Sequence, residues 1–234
     1  MTPSNSKVVP TLFLASQSPR RAELLRQIAV PFAVVDGEID EEVRNDESPI
    51  DYVTRMAREK VEAGYRDLVC HSDHPIVVLA ADTIVVADID SATIDTNSQQ
   101  TNEAEAPIGG QSILGKPRDQ KHAMSMLKQL SGRSHFVVTA FATIAQPRPL
   151  TSPSPQRLTQ GLSRTRVRFT KVNETQAKWY WATGEPKGKA GGYAIQGLGA
   201  IFVDEIEGSY SGVVGLPLYE VSALLRELGV VPNA

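Results

Sequence analysis

Residues 76–86 read Ile-Val-Val-Leu-Ala-Ala-Asp-Thr-Ile-Val-Val, and no other run limits the possible folds so tightly. Apolar side chains occupy both alternating sets of positions, so a strand here is buried on both faces. An aspartate inside such a run is costly unless it is paired, hydrogen-bonded or bound to a cation. Asp82 could cap a neighbouring turn. The apolar surroundings favour a functional role instead, because a buried ion needs a specific partner.

A second constraint lies near the start. Leu12-Phe13-Leu14-Ala15 runs into Ser16-Gln17-Ser18-Pro19-Arg20-Arg21 and then an amphipathic stretch. That order predicts a strand, a polar turn and a helix start. Ser18 suits the N-cap, and Pro19 suits the first helical position, where its missing N–H costs nothing. Ala22, Leu24, Leu25, Ile28 and Ala29 give the stripe that packs the helix. Free backbone N–H groups, the helix dipole, serine hydroxyls and two guanidinium groups would then meet in one volume suited to phosphate. An isolated Ser-Pro-Arg-Arg would more often point its arginines into water. Its place at the end of an apolar strand favours the ligand reading.

Composition narrows the classes. The chain has 234 residues, 41% of them hydrophobic, enough for one large domain or two joined lobes. A formal net charge of −3 offers no general attraction to nucleic acid. A single cysteine, Cys70, excludes an intrachain disulfide framework. No apolar run reaches the roughly 18 residues of a membrane helix. Residues 1–9 lack a secretory apolar core, so no signal peptide and a cytoplasmic protein are expected.

Further elements follow from local signals. A helix opens at Ser48-Pro49-Ile50-Asp51, and Lys60 falls on its apolar stripe with Val53, Met56 and Ala57. Lysines often snorkel from such positions; the alternative is that Lys60 points into a polar cleft. Residues 88–112 and 146–163 are rich in polar residues without periodicity, and both are expected to be mobile surface insertions. Strands are expected at 31–35, 136–145, 166–172, 201–203 and 213–214. Helices are expected at 119–130, at 173–182 with Asn173 as cap, and at 217–228 with Gly229 closing it.

Arg20, Arg21, Lys60, Lys116, Lys189, Glu41 and Asp82 are the residues out of place for mere packing. Cations in number suit a polyphosphate, while carboxylate oxygens suit Mg²⁺ or Mn²⁺. A carboxylate there can also orient a water for attack on phosphorus. His71, His74, His122 and His135 are too scattered for zinc, and the cysteine has no catalytic partner in sequence.

Six motifs in order then carry a resemblance over nearly the whole chain: LASQSPRR, AREK ending at Lys60, AADT, GKPRD, KAGGYAIQG and EGSYSGVVGLPL. The chain resembles the Maf proteins, a family that includes nucleoside triphosphate pyrophosphatases. The resemblance implies an α/β fold with a long, twisted, mixed central sheet flanked by helices. It implies one Maf-like domain whose two lobes enclose a cleft, assembled as a homodimer. It implies hydrolysis of a nucleoside triphosphate to the monophosphate and pyrophosphate, aided by a divalent metal cation. By the family pattern Asp82 is the proton acceptor and, with Glu41, faces the metal. Ser16, Arg20, Arg21, Lys60, Thr83, Lys116 and Gln196 surround the substrate. Glu38, Asp40 or Glu42 could take the place of Glu41 with a small shift.

Arg20, Thr83 and Gln196 match the branch acting on dTTP and UTP; the branch acting on 7-methyl-GTP carries other residues at these three positions. A glutamine amide can donate to and accept from a pyrimidine edge. The family aspartate before Lys-Ala-Gly is here Gly188, which removes a carboxylate from the site. That departure keeps a rival class open, a nucleotide-binding regulator of cell division with little turnover. A 7-methyl-GTP pyrophosphatase is the within-class alternative. Release of pyrophosphate from dTTP separates enzyme from regulator.

Overall fold

The computed structural model describes residues 9–44, 47–69, 74–88, 111–146 and 157–231. In chain order the elements are β1 (Thr11–Ala15), α1 (Pro19–Gln27), β2 (Ala33–Val35), α2 (Pro49–Val69), β3 (Ile76–Asp88) and β4 (Gln111–Leu114). Then follow α3 (Gln120–Leu130), β5 (Ser134–Gln146), β6 (Arg157–Phe169), α4 (Glu174–Ala182), β7 (Val203–Glu207), α5 (Tyr210–Val214) and α6 (Leu218–Glu227). Two short 3-10 turns, Ala190–Gly192 and Leu198–Phe202, lie between α4 and β7. The seven strands form one mixed sheet in the order β2-β1-β3-β5-β6-β7, with β4 also paired to β3. The pairs β1·β2 and β1·β3 are parallel and the rest antiparallel.

Helices cover both faces of β3, as the apolar residues on both of its alternating sets of positions demand. On one face α2 lays Val53, Met56, Ala57 and Val61 over Val78, Ala80, Ile84, Val86 and the neighbouring Val138, Ala140 and Ala142. The other face is divided. Leu79, Ala81 and Phe141 pack under α1 and α6, while Val85, Val137 and Val167 pack under α3 and α4. Between those clusters the register aligns Thr83, Thr139 and Ser163 side by side on β3, β5 and β6. This polar row is the seam between two lobes.

The cleft arises from a gap beside β3. β1 pairs with residues 76–79 and β4 with residues 85–88, both on the edge opposite β5. Residues 80–84 therefore have no strand beside them on that edge among the described residues. Successive side chains of a strand point to opposite faces. Asp82 consequently turns toward α2 and Thr83 toward the seam, yet both border the same gap.

Several sequence expectations need correction. Residues 157–163 are strand, because β6 pairs with β5 from Ala145↔Arg157 to Ser134↔Arg168. Long-range pairing overrides a polar composition there, and Gly161 lies against the ring of Phe141. Gln146 ends β5, so of the second expected insertion only residues 147–156 lie outside the described residues. Of the first, Asp88, Gln111 and Ser112 are strand residues and 89–110 lie outside the described residues. Val213 and Val214 belong to helix α5 rather than a strand, and Ile201 to a 3-10 turn; Val203 opens β7. Ser18 is the N-cap of α1 by position but makes no side-chain cap bond. No described helix is long and apolar enough to cross a membrane.

Candidate active site

At the end of β1 the chain turns sharply into α1, and the Ser18 N–H donates to Ser16 Oγ at 3.2 Å. Pro19 starts the helix, leaving Arg20 and Arg21 in its first turn. Arg21 points inward. Its Nε donates to the Gly215 carbonyl at 2.8 Å, Nη1 to Ser16 Oγ at 3.1 Å and Nη2 to Thr83 Oγ1 at 3.3 Å. Burial lowers its pKa, and the nearby Asp82 carboxylate opposes that shift. Arg20 is half-buried in the same cleft, its pKa also lowered by burial and partly restored by Glu23.

Facing them is a chain of charges. Lys60 reaches from α2 and places Nζ 2.6 Å from Asp82 Oδ1 and 2.6 Å from Glu41 Oε1. Lys116 donates to Glu41 Oε2 at 2.8 Å. The Lys60 side chain is only 11% exposed, which rules out snorkelling into water. Burial would raise the Glu41 pKa, but hydrogen bonds from Lys116 and Lys60 outweigh it and hold it at about 2. Of the acidic candidates between 36 and 42, Glu41 is the one clamped between lysines. Asp36 and Asp40 instead accept from the N–H groups of Glu38 and Glu42, shaping the loop as Asx turns.

Residues not foreseen from sequence hold this loop in place. Arg55 grips Glu47 through two 2.6 Å bonds and donates to the Glu42 carbonyl at 2.9 Å. Tyr52 donates its hydroxyl to the Glu41 carbonyl at 2.9 Å. The signal for Arg55 is weak in sequence, a charge beside the apolar stripe of α2, where an exposed role is the default.

The remaining wall comes from residues 184–197. Gly188 borders the cleft at φ 68°, with open space where a side chain would begin. Lys189 stands beside it; burial lowers its pKa and Arg20 lowers it further. Gln196 is exposed on the rim. Its loop is anchored by Glu185, which sequence reading also missed. That carboxylate accepts from the Tyr180 hydroxyl at 2.7 Å and from Leu198 and Gly199 N–H at 2.8 and 2.9 Å. Tyr180 accepts from the Ala194 N–H at 3.0 Å. Behind the wall His135 Nε2 meets the Tyr193 hydroxyl at 2.8 Å, and burial lowers the His135 pKa to about 3. His135 is a neutral core residue.

Ser16, Arg20, Arg21, Glu41, Lys60, Asp82, Thr83, Lys116, Lys189 and Gln196 thus border one cleft of about 1060 Å³. That volume accepts a ligand at or above the usual size of small-molecule sites. Its chemistry is specific: several cations line it, and of its carboxylates Glu41 and Asp82 are joined by Lys60. Among the described residues no three His, Cys, Asp or Glu side chains gather to cage a metal. Glu41 and Asp82 match the one or two carboxylates that a magnesium-like ion takes before water and phosphate oxygens complete its shell. An ion seated there would displace lysine contacts from Glu41, whose two oxygens Lys60 and Lys116 hold.

Comparison with known proteins agrees in extent. A family model described as Maf-like protein matches residues 11–228. A dTTP/UTP pyrophosphatase of Alkalilimnicola ehrlichii is 42% identical over 222 residues, covering 94% of this chain and 94% of that one. Proteins of the same name from Pseudoalteromonas atlantica and Saccharophagus degradans are 41% and 42% identical. They cover 94% and 92% of this chain, and 97% and 87% of their own. A solved nucleoside-triphosphatase / dITP/XTP pyrophosphatase from Mycobacterium abscessus is 16% identical, covering 93% of this chain and 97% of that one. Its TM-score is 0.32, too loose a superposition to bear on the fold.

Proposed function

The chain belongs to the Maf family, and on that premise we propose that it hydrolyses dTTP and UTP to the monophosphate and pyrophosphate. The observation that carries this reading is the joining of Arg21, Lys60, Lys116, Glu41 and Asp82 around one cleft. A triphosphate brings several negative charges, and this wall neutralises them with forks and point charges.

In this reading Arg20, Arg21, Ser16 and the start of α1 hold the phosphate chain. Lys60 and Lys116 offset the charge that develops as the bond to the leaving pyrophosphate breaks. Asp82 Oδ1 is engaged by Lys60, and Oδ2 makes no hydrogen bond among the described residues. That free oxygen takes a proton from the attacking water as its oxygen bonds to the α-phosphorus. The P–O bond toward the β-phosphorus breaks in the same displacement, and pyrophosphate departs. Mg²⁺ or Mn²⁺, held by Asp82 and Glu41, would supply charge neutralisation at the phosphate oxygens.

Gln196, Thr83 and Arg20 set the preference for a pyrimidine base. A homodimer and a cytoplasmic location complete the reading; the family resemblance supports the first and the sequence expectation the second, and light scattering tests the dimer. The decisive assay incubates the pure protein with dTTP and Mn²⁺ and measures pyrophosphate. Stoichiometric dTMP and pyrophosphate are expected. Release of orthophosphate instead, or no product from any nucleotide, would overturn the proposal.

A further inference from the structure

Thr83 and Thr139 are directly opposed on β3 and β5, with 2.9 Å between their hydroxyl oxygens. Thr139 is fully buried, and its Oγ1 also lies 2.8 Å from the carbonyl oxygen of Gly212 in α5. A carbonyl only accepts, and a threonine hydroxyl has one proton to give. The Thr139 proton therefore goes to Gly212, and Thr83 must donate to Thr139. That leaves the Thr83 oxygen as an acceptor, and it takes an N–H of Arg21 Nη2. Arg21 Nε donates in turn to Gly215, which closes the same short helix. Arg21, Thr83, Thr139, Gly212 and Gly215 form a closed ring in which every direction is fixed.

We propose that Thr139 is a positioning residue for the pyrophosphatase reaction: it fixes the Thr83 hydroxyl and so aims the Arg21 guanidinium into the cleft. The proposal rests on the function argued above. One consequence concerns Thr83. Its proton is committed to Thr139, so it has none for a nucleotide, and its influence on substrate choice passes through Arg21. A second concerns Arg21. Its bonds to Gly215, Ser16 and Thr83 use one N–H on each nitrogen, which leaves one on each terminal nitrogen for phosphate oxygens. Loosening the ring would leave the arginine present but poorly aimed, and small displacements of a phosphate-binding group are costly in the transition state.

The test compares wild type, Thr139→Val, Thr139→Ser, Thr83→Val and the Thr83→Val/Thr139→Val double variant. Steady-state kinetics on dTTP and thermal unfolding are measured in parallel, with ¹⁵N NMR of the Arg21 side chain. Thr139→Val keeps shape and removes the hydroxyl; it should lower kcat/KM about tenfold, mainly through kcat. Thr139→Ser should restore the activity to within about threefold. In the Thr83→Val background, Thr139→Val should add no further loss. In the free protein, rotation of the Arg21 guanidinium should quicken in Thr139→Val and stay slow in Thr139→Ser. Wild-type kinetics in Thr139→Val, or losses that multiply in the double variant, would overturn the proposal. So would an unchanged Arg21 signal, which is read whether or not dTTP is the substrate. An inactive wild type overturns only the proposed function. Should Thr139→Val not fold, Thr139→Cys, whose thiol donates weakly, is read in the same assays.

Discussion

Asp82 stands in β3 among Leu79, Ala80, Ala81, Ile84 and Val85, all nearly or fully buried. The larger of those side chains each contribute about 1.5–3 kcal/mol on burial, whereas a lone carboxylate there would cost several kcal/mol. Lys60 offsets that cost and at the same time leaves one carboxylate oxygen open to the cleft. Asp82→Asn keeps the shape and an acceptor for Lys60 but removes the base. Turnover of dTTP should fall about 10²–10⁴-fold with little change in melting temperature. Retention of most activity would remove Asp82 from that role. A different residue contributes to the acid limb of stability from a higher pH than the paired carboxylates do. His135 is neutral in the fold, its pKa lowered by burial to about 3, whereas an unfolded histidine titrates near 6.5. Between those values the unfolded chain binds the extra proton, so stability at neutral pH is lost as pH falls from about 6.5 toward 3. His135→Gln keeps a hydrogen-bonding side chain beside Tyr193 without titrating. Its melting temperature should fall less steeply than that of wild type over this window; parallel slopes would count against His135 as the source.

At the scale of elements, what was legible in the sequence was local. The start of α1, the Asn173 cap of α4 and the two-sided burial of β3 each follow from a few adjacent residues, and the structure has them where the sequence indicates. The capping box of α4 is complete, Asn173 and Gln176 each accepting the other's backbone N–H at 2.9 Å. What was not legible depends on distant partners. The strand at residues 157–163 exists because β5 is long enough to pair with it, and the gap at residues 80–84 exists because β1 stops and β4 starts where they do. Likewise Glu41 could not be told from its acidic neighbours until two lysines were seen to hold it. The turn at residues 184–192 carries a prediction of its own. Gly188 has a positive φ and borders the cleft in open space, at the position where the Maf pattern has an aspartate. Aspartate tolerates that backbone region better than most residues. Gly188→Asp should therefore cost no more than about 1–2 kcal/mol of stability. Its added carboxylate should lower the Mn²⁺ concentration needed for half-maximal rate by roughly threefold or more. An unchanged metal titration would separate this position from metal binding.

The molecule as a whole is two packed lobes on one sheet, and the segments that border the cleft cross between them. Val214 packs in the lobe of α1 and α6 while Val213 packs against that of α3 and α4. Tyr193 lies in the second cluster and Ile195 against the first, so the loop that ends in Gln196 spans the seam. Arg21 and Lys60 lie deep beside β3, whereas Gln196 is exposed on the rim. On the proposed reading, base choice is a property of the assembled cleft, since a triphosphate anchored at one end would decide which base edge reaches the other. A site that reads an edge by hydrogen bonds rejects analogues that leave its polar groups unpaired. On the proposed reading, kcat/KM for dTTP and UTP should exceed that for ATP and 7-methyl-GTP by about tenfold or more. Gln196→Glu should erode the preference, because a carboxylate accepts but cannot donate to the pyrimidine edge. The loop itself should stay in place in that variant, as its anchors are Glu185 and Tyr180 rather than Gln196. The panel is therefore read as ratios between nucleotides, which a general loss of activity would leave unchanged. Equal hydrolysis of all four nucleotides by the wild type would refute pyrimidine selection and leave a triphosphate pyrophosphatase that reads only the phosphate chain.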